Sequence, residues 1–296
     1  MQFKDLADKV SAFVNPNWGN GVPLATGLRN MSVTRYSRET DPEIRLDDPR
    51  FCLILQGRQH LSGALCDMTV EAGQTFISSH LLPLTAHVPG AQPKSPCLML
   101  NLTLDISVLR SLYDQIGDTV FDETEGKAIE IGAPDDALID ALGRYFQLAG
   151  KPWEANVMAP LILKELHFRL LMATHGGMLR QLLVRDSPAS RMARAIAHIK
   201  RSYRTPMTVA EMAKSAGLGP SAFFGHFKSI TGTTPLQYQK DLRLIHARRM
   251  IGRGECTVTA AAAAVGYESA TQFSREYARK FGASPRSFRG GIRVAS

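Results

Sequence analysis

Hydrophobic and polar residues follow two different patterns along the chain. Between residues 51 and 104, short apolar or alternating segments are separated by Gly, Pro or Asp turns. This pattern predicts several β-strands in a sandwich or small barrel. From residue 105 the apolar positions recur at helical spacing, and we predict helices over 105–117, 135–150 and 153–177. Pro160 lies inside the third helix and predicts a kink or an interruption.

The segment 180–190, RQLLVRDSPAS, marks the predicted domain boundary. It passes from an apolar helix to a charged link that contains Ser and Pro. Every segment beyond it has helical spacing, beginning with a single apolar stripe over residues 191–203. We therefore predict two domains, residues 1–183 and residues 184–296.

One pattern occurs twice in the second domain. Residues 217–232, GLGPSAFFGHFKSITG, and residues 266–282, GYESATQFSREYARKFG, both begin with Gly. Both place two aromatic residues four positions apart and end with Gly, and each follows a short helical segment that starts at a Thr. A short helix, a tight turn with Gly and a second helix form a helix-turn-helix motif. The sequence therefore predicts two such motifs, with the aromatic pair of each second helix in the core.

Residues 234–251 lie between the two motifs and predict a linker helix. At about 1.5 Å per residue, such a helix is roughly 25 Å long. A rod of that length would hold two recognition helices near the ~34 Å that separates successive major grooves on one face of DNA. We therefore expect a single domain to contact two adjacent grooves.

Charge is distributed unevenly between the two predicted domains. Residues 185–296 hold 19 Lys and Arg against 6 Asp and Glu, a net charge of +13, whereas residues 1–184 have a net charge of −5. A basic segment favours a polyanionic partner, with a solvated basic surface as the alternative. No apolar run is long enough to span a membrane, and the N-terminus shows no secretion signal. The four Cys show no metal-like pairing and fit a reducing compartment, so we expect a cytoplasmic protein.

The second domain resembles a known family. The stretches AEMAKSAGLGPSAFFGHFKSITGTTPLQYQKDLRLIHARRMI and VGYESATQFSREYARKFGASPRSFR are similar to the DNA-binding domain of the AraC/XylS transcription regulators, over residues 190–290. Residues 30–180 resemble more loosely the N-terminal sensor of one AraC subgroup, through LILQGRQ, EAGQTFISS and PLTAHV. The resemblance implies an α+β protein: an N-terminal cupin-like β-barrel with accessory helices, then an all-α domain with two helix-turn-helix motifs joined by a linker helix.

The resemblance also implies a function. We expect a sequence-specific DNA-binding transcription regulator, not an enzyme and without a cofactor, which binds double-stranded promoter DNA and works with RNA polymerase. A small-molecule effector in the N-terminal domain would act through its differential affinity for two arrangements of the protein. The helices at 135–175 are candidates for homodimerisation or for capping the barrel, and the choice between activator and repressor stays open.

In this family the exposed face of each second helix enters the major groove. Carried over by position, the DNA contacts that the resemblance implies are Ser221, Phe224, Gly225, Lys228, Ala270, Thr271, Ser274, Arg275, Arg279 and Lys280. Arg275 is the main candidate for base recognition, because a guanidinium group can bind O6 and N7 of guanine together. Lys228, Arg279 and Lys280 are expected at phosphates, which position a protein without specifying the sequence.

The first recognition helix departs from the family pattern. Relatives often have a long polar residue, commonly Arg, where this chain has Gly225, and the neighbouring Phe224 is apolar. Glycine inside a helix costs about 1 kcal/mol relative to alanine. Phe224 either contacts a thymine methyl group or packs against the protein. We expect the second helix, with Thr271 and Ser274 at base edges or phosphates, to contribute more of the specificity.

Other functions rest on the N-terminal domain or on charge alone. Cupin-type metalloenzymes use a His-x-His pair, but His60, His80 and His87 are scattered, so we expect no metal. A thiol-based redox or electrophile sensor would use one of the three Cys in the predicted strands, and such a thiol needs a lowered pKa and exposure. A methyl-accepting DNA-repair relative would need clustered Cys. A non-specific nucleic-acid binder would show steep salt dependence with little sequence preference.

Overall fold

The computed structural model describes four stretches of the chain, residues 1–15, 18–40, 43–117 and 126–290. Its contacts divide the chain into two compact units. The first unit is Met1–Glu43 with Asp47–Ser190, and the second is Arg191–Ser296 with the short segment Ile44–Leu46. The division into domains at residues 183 and 184 stays a prediction.

The strands of the N-terminal half form two sheets. They are β1 (Pro23–Ala25), β2 (Met31–Tyr36), β3 (Glu43–Asp47), β4 (Arg50–Gln56), β5 (Arg58–Ser62), β6 (Asp67–Glu71), β7 (Thr75–Ser78), β8 (Leu82–His87), β9 (Cys97–Thr103) and β10 (Ile129–Gly132). One sheet has the order β1-β2-β9-β4-β7-β10, and the other has the order β3-β8-β5-β6. Within the described residues, the two sheets do not join into a single closed sheet.

β4 and β9 lie at the centre of the larger sheet, with Leu53 opposite Leu100. Side chains of a strand alternate between the two faces of its sheet. Phe51 and Leu53 belong to the core that the sheet shares with the helices, whereas Cys52 and Ile54 point to the opposite face and are also buried. Burial on both faces explains why the sequence of β4 is a continuous apolar run.

Helices cover the outer face of this sheet. They are α1 (Phe3–Phe13), α2 (Ile106–Ile116), α3 (Asp136–Phe146), α4 (Pro152–Met172) and α5 (Gly177–Leu183). Asp105 caps α2, because its side chain accepts hydrogen bonds from the backbone N–H groups of Ser107 and Val108. The exposed Pro160 lies inside α4, and the helix continues through it, so the predicted interruption is wrong and the alternative, a kink, stays a prediction.

The second unit is helical. Its helices are α6 (Pro188–Ser202), which begins just before the unit boundary, α7 (Val209–Ala216), α8 (Pro220–Thr231), α9 (Pro235–Gly252), α10 (Val258–Ala264) and α11 (Ala270–Phe281). Thr208, Thr234, Thr257 and Ser269 cap α7, α9, α10 and α11, each accepting a hydrogen bond from the N–H group three residues further on. Both predicted helix-turn-helix motifs and the linker helix are therefore confirmed.

The predicted fold class is confirmed as a mixed protein with sheets at the N-terminal end and a helical C-terminal region. The strands predicted between residues 51 and 104 are present as β4 to β9. The closed cupin-like barrel is not confirmed. Six elements were not predicted: the helices α1 and α5 and the strands β1, β2, β3 and β10.

Candidate nucleic-acid interface

The first helix-turn-helix motif consists of α7 and α8. Thr208 and Glu211 form a capping box at the start of α7: the N–H of Glu211 donates to Thr208 Oγ1 (3.2 Å), and the N–H of Thr208 donates to Glu211 Oε2 (2.7 Å). Gly217 ends α7 with a φ of 66°, a left-handed conformation that favours glycine. The chain then turns, and Pro220 begins α8 with its fixed φ.

The inner face of α8 packs against the linker helix α9. Phe223 and Phe227 are fully buried, and the ring of Phe227 lies 5.4 Å from the ring of Tyr238 in α9, in an edge-on contact. The residues predicted at DNA lie on the opposite face. Phe224 is 41% exposed, and a Cβ added at Gly225 would meet no atom within 4 Å. Ser221 and Lys228 are exposed on the same face.

The second motif, α10 and α11, depends on a glycine with no room for a side chain. Gly266 follows α10 with a φ of 86°, and a Cβ built there would lie 1.8 Å from the carbonyl oxygen of Arg204. Arg243 of α9 fixes this approach, because its guanidinium donates to the carbonyl oxygens of Gly266 (3.0 Å) and Tyr203 (2.6 Å). The motif is thereby held against both α9 and the end of α6.

α11 also buries one face and exposes the other. Phe273 and Tyr277 are buried, and their rings lie 5.6 Å apart. The predicted DNA contacts on the outer face differ in exposure. Thr271, Arg275 and Arg279 are exposed, whereas Ala270 and Ser274 are half-buried. The outer face of α11 is therefore polar and cationic, whereas the centre of the outer face of α8 consists of Phe224 and Gly225.

Lys280 differs from the other predicted contacts. Its side chain is only 15% exposed, and its Nζ lies 2.8 Å from Oδ1 of the buried Asp241 in α9. The ammonium group of Lys280 is therefore already paired within the protein. Its contact with a phosphate stays a prediction.

A second buried carboxylate joins α11 to α9. Glu276 Oε2 accepts a hydrogen bond from Tyr267 Oη (2.7 Å), and its Oε1 lies 3.3 Å from both Lys240 Nζ and Gln272 Nε2. Burial alone would raise the pKa of Glu276, but these three donors outweigh burial and lower it. Sequence analysis did not identify Asp241 and Glu276. Glu276 follows Phe273 by three positions on the inner face of α11, and this spacing was the signal that it is buried.

Among the described residues of the first unit, two of the cavities of ligand size are lined by residues of its strands. One, of about 300 Å³, is lined by residues that include Arg58, Glu71 and Cys97. The other, of about 410 Å³, combines apolar side chains such as Ile129 with the polar groups of Lys127, Glu130 and His175. Both volumes lie at the small end of the range for ligand pockets.

The cysteines of the strands do not have the properties of sensing thiols. Cys52, Cys66 and Cys97 are buried. Burial, together with the nearby Cys52, raises the pKa of Cys97 to about 12, and burial with the nearby Asp67 raises the pKa of Cys66. A reactive thiol needs a lowered pKa, so the thiol-sensor alternative finds no support here.

The three histidines considered as metal ligands do not converge. The rings of His60 and His87 lie 4.9 Å apart, and His60 Nε2 lies 3.0 Å from Asp67 Oδ1. His80 is buried elsewhere and bonds to the carbonyl oxygen of Ala189. In the described stretches, no three His, Cys, Asp or Glu side chains form a group suited to a metal ion. The absence of a metal stays a prediction.

Two helix-turn-helix motifs on one linker helix, after a unit with two sheets and helices, define a DNA-binding regulator of two parts. The chain belongs to the AraC-type transcriptional regulators, because the family model of their N-terminus matches residues 27–178. A helix-turn-helix domain model matches residues 212–291. Across the described stretches, no helix is both long and apolar enough to cross a membrane.

The relatives that the chain resembles in sequence include HTH-type transcription regulators. The chain is 29% identical over 159 residues to the RCS-specific HTH-type transcriptional activator RclR of Escherichia coli, which covers 53% of this chain and 49% of RclR. It is 21% identical over 198 residues to the virulence regulon transcriptional activator VirF of Yersinia enterocolitica, covering 65% and 72% of the two chains. The match spans about half the length of RclR and of YobQ of Bacillus subtilis.

Solved structures show the same fold. The unsaturated fatty acid-bound form of wild-type ToxT from Vibrio cholerae aligns with a TM-score of 0.58 at 12% identity, covering 94% of this chain and 99% of that one. A second ToxT structure, from strain O395, aligns with a TM-score of 0.55, covering 88% and 98%. At this identity the likeness is one of fold.

Proposed function

We propose that this protein is a sequence-specific transcription regulator whose two recognition helices, α8 and α11, enter adjacent major grooves of promoter DNA. The exposed outer faces of α8 and α11 support this most directly. Each lies opposite a buried aromatic pair, and the linker helix α9 joins the two motifs. α9 has 18 residues and is therefore about 27 Å long. The net charge of +13 in residues 185–296 favours DNA as the partner of this unit.

The two helices would recognise bases by different chemistry. Arg275, exposed on α11, would donate two hydrogen bonds to a guanine, with Thr271 and Ser274 at neighbouring base edges or phosphates. On α8 the exposed Phe224 beside the open position of Gly225 favours contact with a thymine methyl group. We therefore assign more of the specificity to α11.

Substitution of the two arginines of α11 tests this assignment. Arg275→Ala should lose about 1–3 kcal/mol of discrimination at one guanine position, because it removes a bidentate contact. Arg279→Ala, the matched control, should weaken binding to all sequences equally and reduce the salt slope by about one. Binding of each variant to an operator and its single-base substitutions would measure both effects. An Arg275→Ala protein as selective as the wild type would refute the assignment.

The first unit would bind the effector. We infer that its two antiparallel sheets are the halves of a cupin-like barrel, with buried side chains such as Cys52 and Ile54 between them. The fold neighbour ToxT has been solved with an unsaturated fatty acid, which favours a small apolar or amphipathic effector here. A shift in the melting temperature of the full chain on titration with a fatty acid series would support this class; no shift with any member would exclude it.

A second copy of the chain is the proposed partner of α4. Trp153, Val157 and Leu161 are 75%, 63% and 62% exposed and lie one turn apart on one face of the helix. Contiguous exposed apolar surface of this kind marks an interaction site. A two-fold interface uses the same surface of both copies, so the stripe of one α4 would pack against the stripe of the other.

Three further proposals rest on family membership. A regulator of promoters works where the DNA is, so we propose a cytoplasmic location. Contact with RNA polymerase is proposed on the same ground, and the relatives' role as transcription regulators supports a non-enzymatic function.

A further inference from the structure

Two carboxylates are buried where the second recognition helix meets the linker helix. Asp241, on α9, is bonded to Gln237 Nε2 (2.8 Å) and paired with Lys280 Nζ (2.8 Å). Glu276, on α11, is paired with Lys240 Nζ (3.3 Å) and bonded to two further donors. We call these two residues, with the side chains bonded to them, the carboxylate network.

The network joins the two helices in both directions. One acid lies on α9 with its cation on α11, and the other acid lies on α11 with its cation on α9. Glu276 and Lys280 are four residues apart on α11, so the helix is held at two successive turns. Two fixed points prevent both rotation of α11 about its axis and sliding along α9.

Burial of ionic groups is a poor source of stability, because desolvation offsets most of the attraction between the charges. A pair of apolar residues would hold the helices together at least as firmly. What hydrogen-bonded ion pairs add is a single defined geometry, since each donor must meet its acceptor at about 2.7–3.3 Å.

The first recognition helix lacks this attachment. α8 contains no Asp or Glu, and its single Lys, Lys228, is exposed on the outer face. α8 packs on α9 through Phe227 against Tyr238, and α11 has aromatic packing of its own, between Phe273 and Tyr277, in addition to its ion pairs. The hydrophobic effect that holds apolar faces together is non-directional, whereas a hydrogen-bonded ion pair depends on distance and angle. The two motifs thus differ in how tightly their orientation on α9 is defined.

We propose that Asp241 and Glu276 are positioning residues that set the orientation of α11, and through it the base preference of the second half-site. This inference rests on the proposed function. Arg275 directly precedes Glu276, so a rotation of the helix moves the guanidinium group sideways across the base edges. A bidentate contact with guanine depends on direction as well as distance. Neither carboxylate needs to touch DNA, because both are buried.

Glu276→Gln and Asp241→Asn test the proposal in the full chain. Both substitutions keep size and shape, remove the charge, and leave an oxygen that accepts a hydrogen bond. Selection of binding sequences from a randomised library should show at least a tenfold loss of base preference in the half-site contacted by α11. Preference in the half-site contacted by α8 should not change.

The matched control is Ile230→Val, which loosens the buried face of α8 without touching the network. If the carboxylates were merely structural, Glu276→Gln would lower the bound fraction and leave the preferred bases of both half-sites as in the wild type. That result would overturn the proposal. Circular dichroism at the assay temperature confirms that each variant is folded, and Asp241→Glu, which keeps the charge, should restore part of the preference lost in Asp241→Asn.

Lys280→Gln separates the network from direct contact with DNA. As a member of the network, it should reduce preference in the second half-site as Asp241→Asn does. As a phosphate contact, it would weaken binding to every sequence equally, which would contradict its positioning role. A wild-type protein that selects no sequence at all would refute the proposed function itself, a result distinct from either outcome for the variants.

Discussion

Two glycines of the DNA-binding unit have opposite surroundings, and this difference predicts opposite effects of a methyl group. Gly225 lies in the middle of α8 with open space around it. Gly225→Ala should raise the free energy of unfolding by about 0.5–1 kcal/mol, because alanine loses less backbone entropy in a helix. Hydrogen exchange of the buried α8 and α9 amides would measure it; unchanged or faster exchange would contradict the prediction.

Gly266→Ala should lower the free energy of unfolding. The positive φ alone costs about 1–3 kcal/mol for a residue with a Cβ, and the added atom would overlap the carbonyl oxygen of Arg204. Since this oxygen belongs to the backbone, the second motif must shift away from the end of α6. We expect faster hydrogen exchange in α10 and α11 and weaker DNA binding. Wild-type exchange in these helices would show that the close approach is not required.

Buried histidines make the stability of the first unit sensitive to pH. His80 is 2% exposed; its Nε2–H donates to the carbonyl oxygen of Ala189 (3.2 Å) and its Nδ1 accepts from Ser79 Oγ (2.8 Å). Burial lowers the pKa of His80 to about 4. Burial also lowers the pKa of His167 and of His175. These rings remain neutral at a pH where the unfolded chain is protonated.

The sign of the pH effect follows from this difference. As the pH falls from about 6.5 toward 4, the unfolded state takes up protons that the folded state does not, so the free energy of unfolding decreases. His80 alone should account for about 3 kcal/mol, at about 1.4 kcal/mol per pKa unit. Both Trp residues, Trp18 and Trp153, lie in this unit, so Trp fluorescence during urea unfolding reports its stability. A His80→Gln protein with the same pH slope as the wild type would contradict the prediction.

For single residues, the sequence predicted which side chains of a helix are buried better than it predicted which side chains they contact. The spacing of Phe223, Phe227, Phe273 and Tyr277 was sufficient to place them in the core. The same spacing gives no information about which residue of another helix a side chain meets. The pairing of Lys280 with Asp241 could not be predicted for this reason, because it joins positions 39 residues apart.

The helix α4 supports a prediction about assembly. Its exposed apolar stripe should hold two copies together, so Leu161→Glu should convert a dimer to a monomer by placing two like charges in the interface. Sedimentation or light scattering would measure the mass, and Asn156→Glu on the same helix is a control, since Asn156 is already polar and exposed. A wild-type protein that is monomeric at tens of micromolar would exclude this interface.

Helices and strands could be predicted where the pattern of apolar and turn residues lies within one short segment of the chain. The capped helices of the second unit and the apolar strands between residues 51 and 104 follow directly from spacing and turn residues. The order of the strands does not, since β4 lies between β9 and β7 in the sheet and β10 pairs with β7 across some 50 residues of chain. α1 was missed because only Leu6 and Val10 of its 11 residues are buried.

The two compact units of the molecule also differ in net charge. The unit with a basic surface is the one that contains both helix-turn-helix motifs, and the unit with acidic residues in excess contains the sheets and cavities. This division supports DNA binding by the one and effector binding by the other. The central claim is that both recognition helices contact bases in neighbouring grooves.

Selection of genomic DNA fragments by the purified full chain, at near-physiological salt with excess competitor DNA, tests this claim most directly. The enriched motif should consist of two short blocks whose centres are about 10–10.5 base pairs apart. The block contacted by α11 should be the more strongly defined and should contain the guanine bound by Arg275. A motif with a single block, or binding without any enriched sequence, would show that the two helices do not recognise bases in neighbouring grooves.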